Sequence, residues 1–259
     1  MNVKPKKKLG QHFLTDKNIA KKIVDGFEAK YEDGHVLEIG PGTGILTFML
    51  ASVFKERLTA IDLDQESVDY LNNVKAERKI EDLNIVFADF LKFDLSRITD
   101  SEISIIGNFP YNISSQIFFK ILENREKIPL TYGMIQREVA DRIVAPPGNK
   151  TYGILSVLLQ AFYDLKMELK VPPGVFNPPP KVNSAVISMV RKENFTLDCD
   201  ERLFFRIVKQ SFQNRRKTLR NSLKTLILNP DLTTDPIFGK RPEQLSFNDF
   251  VFLTNLLKA

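Results

Sequence analysis

Short apolar runs rich in β-branched residues alternate with amphipathic segments over most of the chain. The runs that we interpret as strands are 36–39, 58–61, 84–88, 103–107, 132–136, 162–171 and 185–190. Between them, apolar residues recur at helical spacing. The segments that we interpret as helices are about 16–27, 45–54, 116–122, 138–144 and 155–162. Strands that alternate with helices predict an α/β domain with a doubly wound, Rossmann-like sheet.

The pattern changes beyond about Asn194, where the apolar repeats all have helical spacing. We predict helices over 214–228 and 242–257. The chain is therefore expected to comprise an α/β domain over residues 1–193, with a basic N-terminal arm, and a small all-helical domain over residues 194–259.

The composition is that of a globular protein with one substantial core and a smaller appended unit. Of the 259 residues, 43% are hydrophobic. The single cysteine, Cys199, cannot form an internal disulfide, and with only two histidines we expect no metal site. Residues 1–8 lack the apolar region of a signal peptide, and no apolar stretch approaches the roughly 20 residues that cross a bilayer. We therefore expect a soluble, cytoplasmic protein.

The net charge of +5 is distributed unevenly. Residues 201–259 carry eleven basic and five acidic side chains, a net charge of +6, and residues 1–8 add +4, which leaves −5 for residues 9–200. Basic ends on a mildly acidic body indicate a polyanionic partner. Basic side chains that only keep the protein in solution are the alternative.

One predicted helix of the C-terminal domain concentrates this charge. Arg216, Arg220 and Lys224 recur every four residues and would share one face, with Arg215 and Lys217 beside them. Such a basic stripe beside a nucleotide-binding fold is typical of a surface that contacts nucleic-acid phosphates. An ordinary solvent-exposed helix face is the alternative.

A glycine-rich turn follows the first predicted strand. The sequence Gly-Pro-Gly-Thr-Gly at 40–44 joins that strand to a helix, and glycine lets a ligand approach the backbone closely. Asp62 follows the next strand, where a carboxylate can accept hydrogen bonds from both hydroxyls of a ribose. The G-x-G-x-G spacing fits S-adenosylmethionine better than a dinucleotide, whose motif is G-x-G-x-x-G. A turn that merely packs a helix on a strand is the alternative.

Asp89 follows the third predicted strand, again at the carboxyl edge, where open α/β sheets bind ligands. We expect its side chain to accept a hydrogen bond from an adenine amino group. Capping of the segment that follows is the alternative.

The sequence Asn-Phe-Pro-Tyr at 108–111 ends the fourth predicted strand. In a doubly wound sheet this strand lies beside the first, so these residues should face the glycine-rich turn across a crevice. The Asn108 side-chain oxygen and the Pro110 carbonyl are suited to accept the two N–H bonds of a base amino group, and Tyr111 to stack on the base. Methyl transfer to that nitrogen requires positioning, and neither a nucleophilic triad nor a metal.

Phe176 lies in the segment 171–181, which has too many prolines for a strand within a ladder and is predicted to be a loop. A stiff loop that presents one aromatic ring is suited to stack on the opposite face of the base. The alternative is that Phe176 packs into the core.

Several motifs, in order along nearly the whole chain, give the sequence a specific resemblance to a known family. They are GQHFL at 10–14, EIGPGTG at 38–44, Asp89, NFPYNIS at 108–114, VFNPPPKVNSAV at 175–186, QNRRKTLRNSL at 213–223 and RPEQLS at 241–246. The chain resembles the bacterial small-subunit ribosomal RNA adenine dimethyltransferases. The resemblance implies a class I S-adenosylmethionine-dependent methyltransferase sheet.

The same resemblance implies a reaction. Four methyl groups would pass from S-adenosylmethionine to two adjacent adenines in a hairpin loop near the 3′ end of 16S rRNA. The products would be N6,N6-dimethyladenines. The partner would be 16S rRNA in a partly assembled 30S subunit, late in its assembly, and we expect the enzyme to be a monomer.

The resemblance also implies roles for individual residues. The implied cofactor contacts are His12, Leu14, Gly40, Asp62, Asp89 and Asn108. The implied adenine contacts are Asn108, Pro110 and Tyr111, with Phe176 stacking. The family usually has Asn where His12 stands, Glu where Asp62 stands and Leu where Phe109 stands. Because Asp62 is one methylene shorter than Glu, its ribose contact is expected to be longer or bridged by water.

Three other functions are compatible with parts of this pattern. A 23S rRNA adenine methyltransferase of the macrolide-resistance type would share the fold and the N-terminal motifs, but the C-terminal motifs at 213–223 and 241–246 favour the small-subunit enzyme. A ribosome-assembly factor without catalytic activity would need the basic residues but not Asn108. An NAD oxidoreductase is disfavoured because no hydride-relay residues accompany the glycines.

Overall fold

The computed structural model describes residues 3–258. In chain order the strands are β1 (Phe13–Leu14), β2 (His35–Ile39), β3 (Leu58–Asp62), β4 (Asn84–Phe87), β5 (Ile103–Asn108), β6 (Leu130–Gln136), β7 (Tyr163–Val171), β8 (Phe176–Asn177) and β9 (Ser184–Arg191). The helices are α1 (Lys17–Glu28), α2 (Thr47–Phe54), α3 (Gln65–Glu77), α4 (Ser114–Glu123), α5 (Arg137–Ile143), α6 (Ile154–Phe162), α7 (Glu201–Gln213), α8 (Leu219–Ser222) and α9 (Phe247–Lys258).

Seven strands form one sheet in the order β4-β3-β2-β5-β6-β9-β7. Strands β2 to β6 are parallel, and β9 pairs antiparallel with β6. The chain moves from β2 outward to β4 and then returns to place β5 on the other side of β2. Strand order therefore reverses between β2 and β5, which is where open α/β sheets bind ligands. The predicted Rossmann-like sheet is confirmed.

The central strands are covered on both faces, which explains their continuous apolar runs. Ile103, Ile105 and Ile106 of β5 are all fully buried. Helix α1 begins at Lys17 and is capped by Asp16, whose carboxylate accepts hydrogen bonds from the backbone N–H groups of Asn18 and Ile19 at 2.8 and 3.0 Å.

The proline-rich segment contains a short strand that the sequence did not predict. Strand β8 pairs antiparallel with β1, with Phe13 opposite Asn177 and Leu14 opposite Phe176. Prolines on both sides limit the ladder to two residues on each strand. The pairing fastens the proline-rich segment to the N-terminal part of the chain.

The chain forms two compact units, and their boundary differs from the predicted one at 193/194. The first unit runs to Ala140 and includes Lys166–Arg191, and the second contains Asp141–Leu165 and the chain from Lys192 onward. Within the second unit, Phe162 of α6 stacks on Phe205 of α7 with ring centroids 6.0 Å apart. Helix α6 is buried almost all round. It therefore belongs to the second unit, although the segments that flank that part of the chain in sequence belong to the first.

The predicted helix over 214–228 is wrong. Helix α7 ends at Gln213, a turn follows in which Lys217 N–H donates to the Asn214 carbonyl at 2.8 Å, and the four-residue α8 begins at Leu219. The Leu219 N–H donates outside any helix, to the Lys240 carbonyl at 2.8 Å. Because the helix is broken, the basic residues predicted to form one stripe do not share a helix face.

Among residues 3–258, no helix has both the length and the apolar character that crossing a membrane requires. The same residues contain no cluster of three or more His, Cys, Asp or Glu side chains that could hold a metal ion.

Candidate functional site

A cleft opens in the first unit at the carboxyl ends of β2, β3, β4 and β5. It encloses about 790 Å³ of empty space, counting its open mouth. The lining residues are 9–13, 61–63, 88–90 and 108–113, together with Ile39, Gly40 and Gly42. The cleft therefore brings together the glycine-rich turn, Asp62, Asp89 and the Asn-Phe-Pro-Tyr sequence, as the predicted topology required.

The glycine-rich turn is pressed against its neighbours. Gly40 and Gly42 have φ angles of 69° and 55°, in the left-handed region that favours glycine. A Cβ on Gly40 would lie 3.3 Å from the Asn108 carbonyl oxygen and 3.5 Å from Pro110 Cδ. A Cβ on Gly42 would lie 2.8 Å from the Phe13 ring. The glycines thus allow the turn to lie directly beside the residues expected to hold the base.

Asp62, the last residue of β3, is held by backbone donors. Its Oδ1 accepts a hydrogen bond from the Asp64 N–H at 2.9 Å, and its Oδ2 accepts one from the Gly42 N–H at 3.2 Å. Burial raises the pKa of Asp62 to about 6, although these backbone hydrogen bonds oppose the rise. Each oxygen keeps a lone pair, so the carboxylate can accept further hydrogen bonds from a ligand's hydroxyl groups.

Asp89 has the capping role that was the alternative in the sequence analysis, and it also lies at the cleft. Its side chain lines the cleft, and its Oδ1 accepts a hydrogen bond from the Leu91 N–H at 3.0 Å. The side chain therefore caps the turn after β4 while its second oxygen lies 3.8 Å from Lys92 Nζ, an exposed and weak ion pair.

Asn108 has one half of its side-chain amide satisfied and the other half free. Its Nδ2 donates to the His12 carbonyl at 2.8 Å. Its Oδ1 is buried and has no hydrogen-bond partner among the residues that the structure describes. A buried acceptor without a partner is costly, at roughly 1–3 kcal/mol, and therefore indicates a ligand donor at this position.

The neighbouring Pro110 and Tyr111 also line the cleft. The Pro110 carbonyl accepts a hydrogen bond from the Ile113 N–H at 3.2 Å, which leaves its second lone pair free. The Tyr111 ring stacks on the His12 ring with centroids 5.3 Å apart, and its hydroxyl lies 2.5 Å from Ser184 Oγ. His12 in turn donates from Nδ1 to the Pro178 carbonyl at 2.8 Å. The ring of Tyr111 is therefore held at its edge and on one face.

Leu14 and Phe176 do not line this cleft. Both are buried, at 3% and 4% exposed, in one apolar cluster of the core. The β1–β8 pairing places them opposite each other and explains this burial. The stacking position predicted for Phe176 is therefore not seen, and the alternative, a ring packed into the core, is the one observed.

Glu38 is a candidate site residue that the sequence reasoning did not single out. It is 1% exposed, and its Oε2 has no hydrogen-bond partner among the described residues. It lines a small second cavity under the glycine-rich turn together with Asn108. The available signal was an acidic residue inside an otherwise apolar strand.

The five predicted RNA-binding residues lie in the second unit and divide into two groups. Arg215 donates to the Lys150 carbonyl at 2.5 Å, and Arg220 donates to the Thr233 carbonyl at 2.9 Å, so both brace the unit internally. Arg216, Lys217 and Lys224 are exposed. Arg220 is exposed as well, so it presents charge to solvent together with the second group, although its guanidinium also donates to the Thr233 carbonyl.

The chain is similar to ribosomal RNA methyltransferases over nearly its whole length. The family model described as ribosomal RNA adenine dimethylase matches residues 2–236. A ribosomal RNA small subunit methyltransferase A from Parabacteroides distasonis is 54% identical, covering 97% of this chain and 93% of that protein. The protein of the same name from Bacteroides fragilis is 55% identical, with coverages of 98% and 92%.

Solved structures show the same architecture. A dimethyladenosine transferase from Plasmodium falciparum superposes with a TM-score of 0.79 at 25% identity, covering 93% of this chain and 96% of that one. The 23S rRNA methyltransferase ErmE superposes with a TM-score of 0.70 at 23% identity, covering 95% of this chain and all of that one. This second similarity concerns only the fold. The chain belongs to the family of ribosomal RNA adenine dimethylases, whose fold and S-adenosylmethionine cofactor it shares.

Proposed function

We propose that this enzyme transfers four methyl groups to two adjacent adenines near the 3′ end of 16S rRNA in a partly assembled 30S subunit, forming N6,N6-dimethyladenines. The main observation in support of this chemistry is the buried Asn108 Oδ1, which has no partner among the described residues. The backbone carbonyl of the same residue lies beside Gly40 of the glycine-rich turn. The relatives named as small-subunit methyltransferases support 16S over 23S rRNA as the substrate.

Asn108 and Pro110 would activate the target nitrogen. The lone pair of an adenine amino group is delocalised into the ring, so the nitrogen is a poor nucleophile. The Asn108 Oδ1 and the second lone pair of the Pro110 carbonyl can accept its two N–H bonds and favour a tetrahedral nitrogen. As the new N–C bond forms and the S–C bond breaks, the nitrogen releases a proton. Neither Asn108 nor the Pro110 carbonyl can keep that proton, so it passes to solvent.

Tyr111 would set the plane of the base. Stacking of a base on an aromatic side chain is worth roughly 1–3 kcal/mol, and the adenine must leave its RNA stack to reach the ring. His12 already covers one face of Tyr111. The base would therefore stack on the opposite face of Tyr111, unless it displaces the His12 ring. The family usually has the smaller Asn at this position.

The residues at the carboxyl ends of β2 to β4 fit S-adenosylmethionine, which supplies the sulfonium methyl group. Asp62 would accept the ribose hydroxyls, Asp89 the adenine amino group, and Gly40 would permit close approach of the backbone. His12 lines the cleft and would also contact the cofactor. Leu14 is buried below it and would act only through its backbone.

The partner and its contacts complete the proposal. The exposed Arg216, Lys217 and Lys224 would contact rRNA phosphates, while Arg215 and Arg220 would hold the second unit in shape. The enzyme would act in the cytoplasm, where ribosomal subunits are assembled, and as a monomer.

The deciding experiment is transfer of labelled methyl groups from S-adenosylmethionine to 30S particles that lack the modification. We expect nucleoside analysis to give N6,N6-dimethyladenosine, and mapping to place it at two adjacent adenines near the 3′ end of 16S rRNA. Label in 23S rRNA instead would overturn the assignment. The Asn108→Ala variant is the control for a purely structural assembly factor, since such a factor would work equally well in cells with this substitution.

A further inference from the structure

We propose that Asp64 is a positioning residue that holds the N-terminal strap, residues 4–12, closed over the cofactor cleft, so that the Lys6–Asp64 ion pair controls how fast the cofactor exchanges. The proposal rests on the assignment of this cleft to S-adenosylmethionine. It concerns a group outside the reacting atoms, at the start of α3.

The strap lies along one side of the cleft. Leu9, Gly10 and Gln11 all contribute to its lining, and His12 follows them. Gly10 has a φ of 65° and packs so closely on the turn between β5 and α4 that a Cβ would lie 2.9 Å from Asn112 Oδ1. A ligand deep in the cleft would therefore have the strap against it.

Two side chains of the strap meet on Asp64. Lys6 Nζ forms a short ion pair with Asp64 Oδ1, and Gln11 Nε2 donates to Asp64 Oδ2 at 2.9 Å. The Gln11 Oε1 accepts the Lys6 backbone N–H at 2.8 Å, which joins the two attachment points. Glu66 adds an outer contact, 3.2 Å from Lys6 Nζ. Both carboxylate oxygens of Asp64 thus hold the strap.

Asp64 also reaches the ribose-binding side of the cleft. Its backbone N–H donates to Asp62 Oδ1 at 2.9 Å, and its side chain is only 1% exposed. Capping α3 needs one acceptor, and the bond from the Glu66 N–H at 3.2 Å provides it. A cap alone explains neither the burial nor the contacts with Lys6 and Gln11. One residue therefore links Asp62 to the strap.

These contacts distinguish Lys6 from the neighbouring Lys7 and Lys8. Lys7 and Lys8 are exposed, as expected for side chains that contact RNA phosphates. Lys6 is half-buried and directed to the enzyme's own carboxylates. Four methyl transfers consume four cofactor molecules, so the strap must open between transfers. An ion pair at the edge of the cleft makes that opening sensitive to salt.

The test is the rate at which tritiated S-adenosylmethionine leaves the full-length enzyme when unlabelled cofactor is added in excess. We expect Lys6→Met to release the label about tenfold faster than the wild type, which corresponds to about 1.4 kcal/mol. Raising the salt concentration should speed release from the wild type and have little effect on Lys6→Met. Lys8→Met is the matched control and should behave as the wild type, and Lys6→Arg should restore slow release.

Two outcomes would overturn the proposal. One is the same release rate for Lys6→Met and Lys8→Met. The other is a loss of RNA affinity in Lys6→Met with unchanged cofactor release, which would make Lys6 a phosphate contact. Asp64→Asn, which keeps an oxygen for the α3 cap, should repeat the fast release. Because the release assay needs no RNA, its result does not depend on whether 16S rRNA is the substrate. Likewise, an unchanged release rate in Lys6→Met would not contradict the assignment to 16S rRNA.

Discussion

The Asn108 side chain donates through Nδ2 to the His12 carbonyl at 2.8 Å, and this bond fixes which end of the amide is left for a substrate. Without it, the amide could rotate and offer donors where an amino group needs acceptors. In the proposed reaction the N-terminal segment would therefore contribute by orienting Asn108 of β5.

Removal of the Asn108 acceptor should abolish most activity. We expect Asn108→Ala to lower kcat by about 100-fold to 1,000-fold, as for the loss of a preorganised polar group that acts in the transition state. Single-turnover methyl transfer to unmethylated 30S particles measures this. Asn73→Ala, on the exposed face of α3, is the control. A loss below tenfold for Asn108→Ala would contradict the role given to Oδ1.

Substitution of Phe176 should mainly lower stability, whereas substitution of Tyr111 should mainly lower methyl transfer. Phe176 is a buried core ring, so Phe176→Ala should lower the free energy of unfolding by roughly 3–5 kcal/mol, as urea titration would show. Phe176→Leu should retain most of both stability and kcat. Tyr111→Ala should reduce methyl transfer strongly while leaving the affinity for S-adenosylmethionine nearly unchanged. A Phe176→Leu enzyme that is stable but has a large loss of kcat would indicate instead that Phe176 stacks on the base.

Stability should fall as the pH rises because of Glu38. Burial raises the pKa of Glu38 from 4.5 to about 8, with the Thr47 hydroxyl opposing the rise and Asp62 adding to it. Between these values the folded protein binds more protons than the unfolded chain, so the free energy of unfolding decreases as pH rises from about 4.5 to about 8.

The variant Glu38→Gln cannot ionise and should show a shallower decline, so that it gains stability relative to the wild type towards pH 8. Urea unfolding at several pH values measures the difference. Glu81→Gln, at an exposed position, should follow the wild-type curve. Parallel curves for wild type and Glu38→Gln would mean that Glu38 stays ionised at little cost in the folded protein.

The exposed basic residues of the second unit should account for part of the salt dependence of RNA binding. Joint replacement of Arg216, Lys217 and Lys224 with Ala should lower the slope of log affinity against log salt by about three, since each phosphate contact contributes about one. Lys22→Ala, exposed on α1, is the control. An unchanged slope would make these three residues ordinary solvated side chains.

The sequence predicted the sheet and most of the cleft because both depend on local patterns. Each buried parallel strand has a continuous apolar run, and the chemistry of Gly40, Asp62 and Asn108 comes at strand ends, where the topology brings them together. The residues in the exposed turns after these strands could be assigned without knowledge of contacts between distant parts of the chain.

The errors all involve contacts between residues far apart in sequence. The burial of Phe176 depends on a two-residue pairing with Phe13–Leu14, too short to leave a periodic signal. The apolar residues after Asn214 have helical spacing, but Leu219 is fixed by the Lys240 carbonyl and begins a separate short helix. The contact of Lys6 with Asp64 joins residues 58 positions apart and has no local signal in the run of lysines near the N-terminus.

Gly40 lies against the Asn108 carbonyl and the Pro110 ring, and this contact affects how kinetic measurements on a Gly40 variant should be interpreted. A methyl group added at Gly40 would strain a backbone whose φ is 69° and would crowd the Asn108 carbonyl oxygen at 3.3 Å, so one substitution would raise the Michaelis constants of the methyl donor and of the RNA together. Such a joint change would not mean that Gly40 touches both substrates. It would mean that their two subsites share a single rigid boundary, and that distances across the reacting atoms are set by the backbone before either substrate arrives.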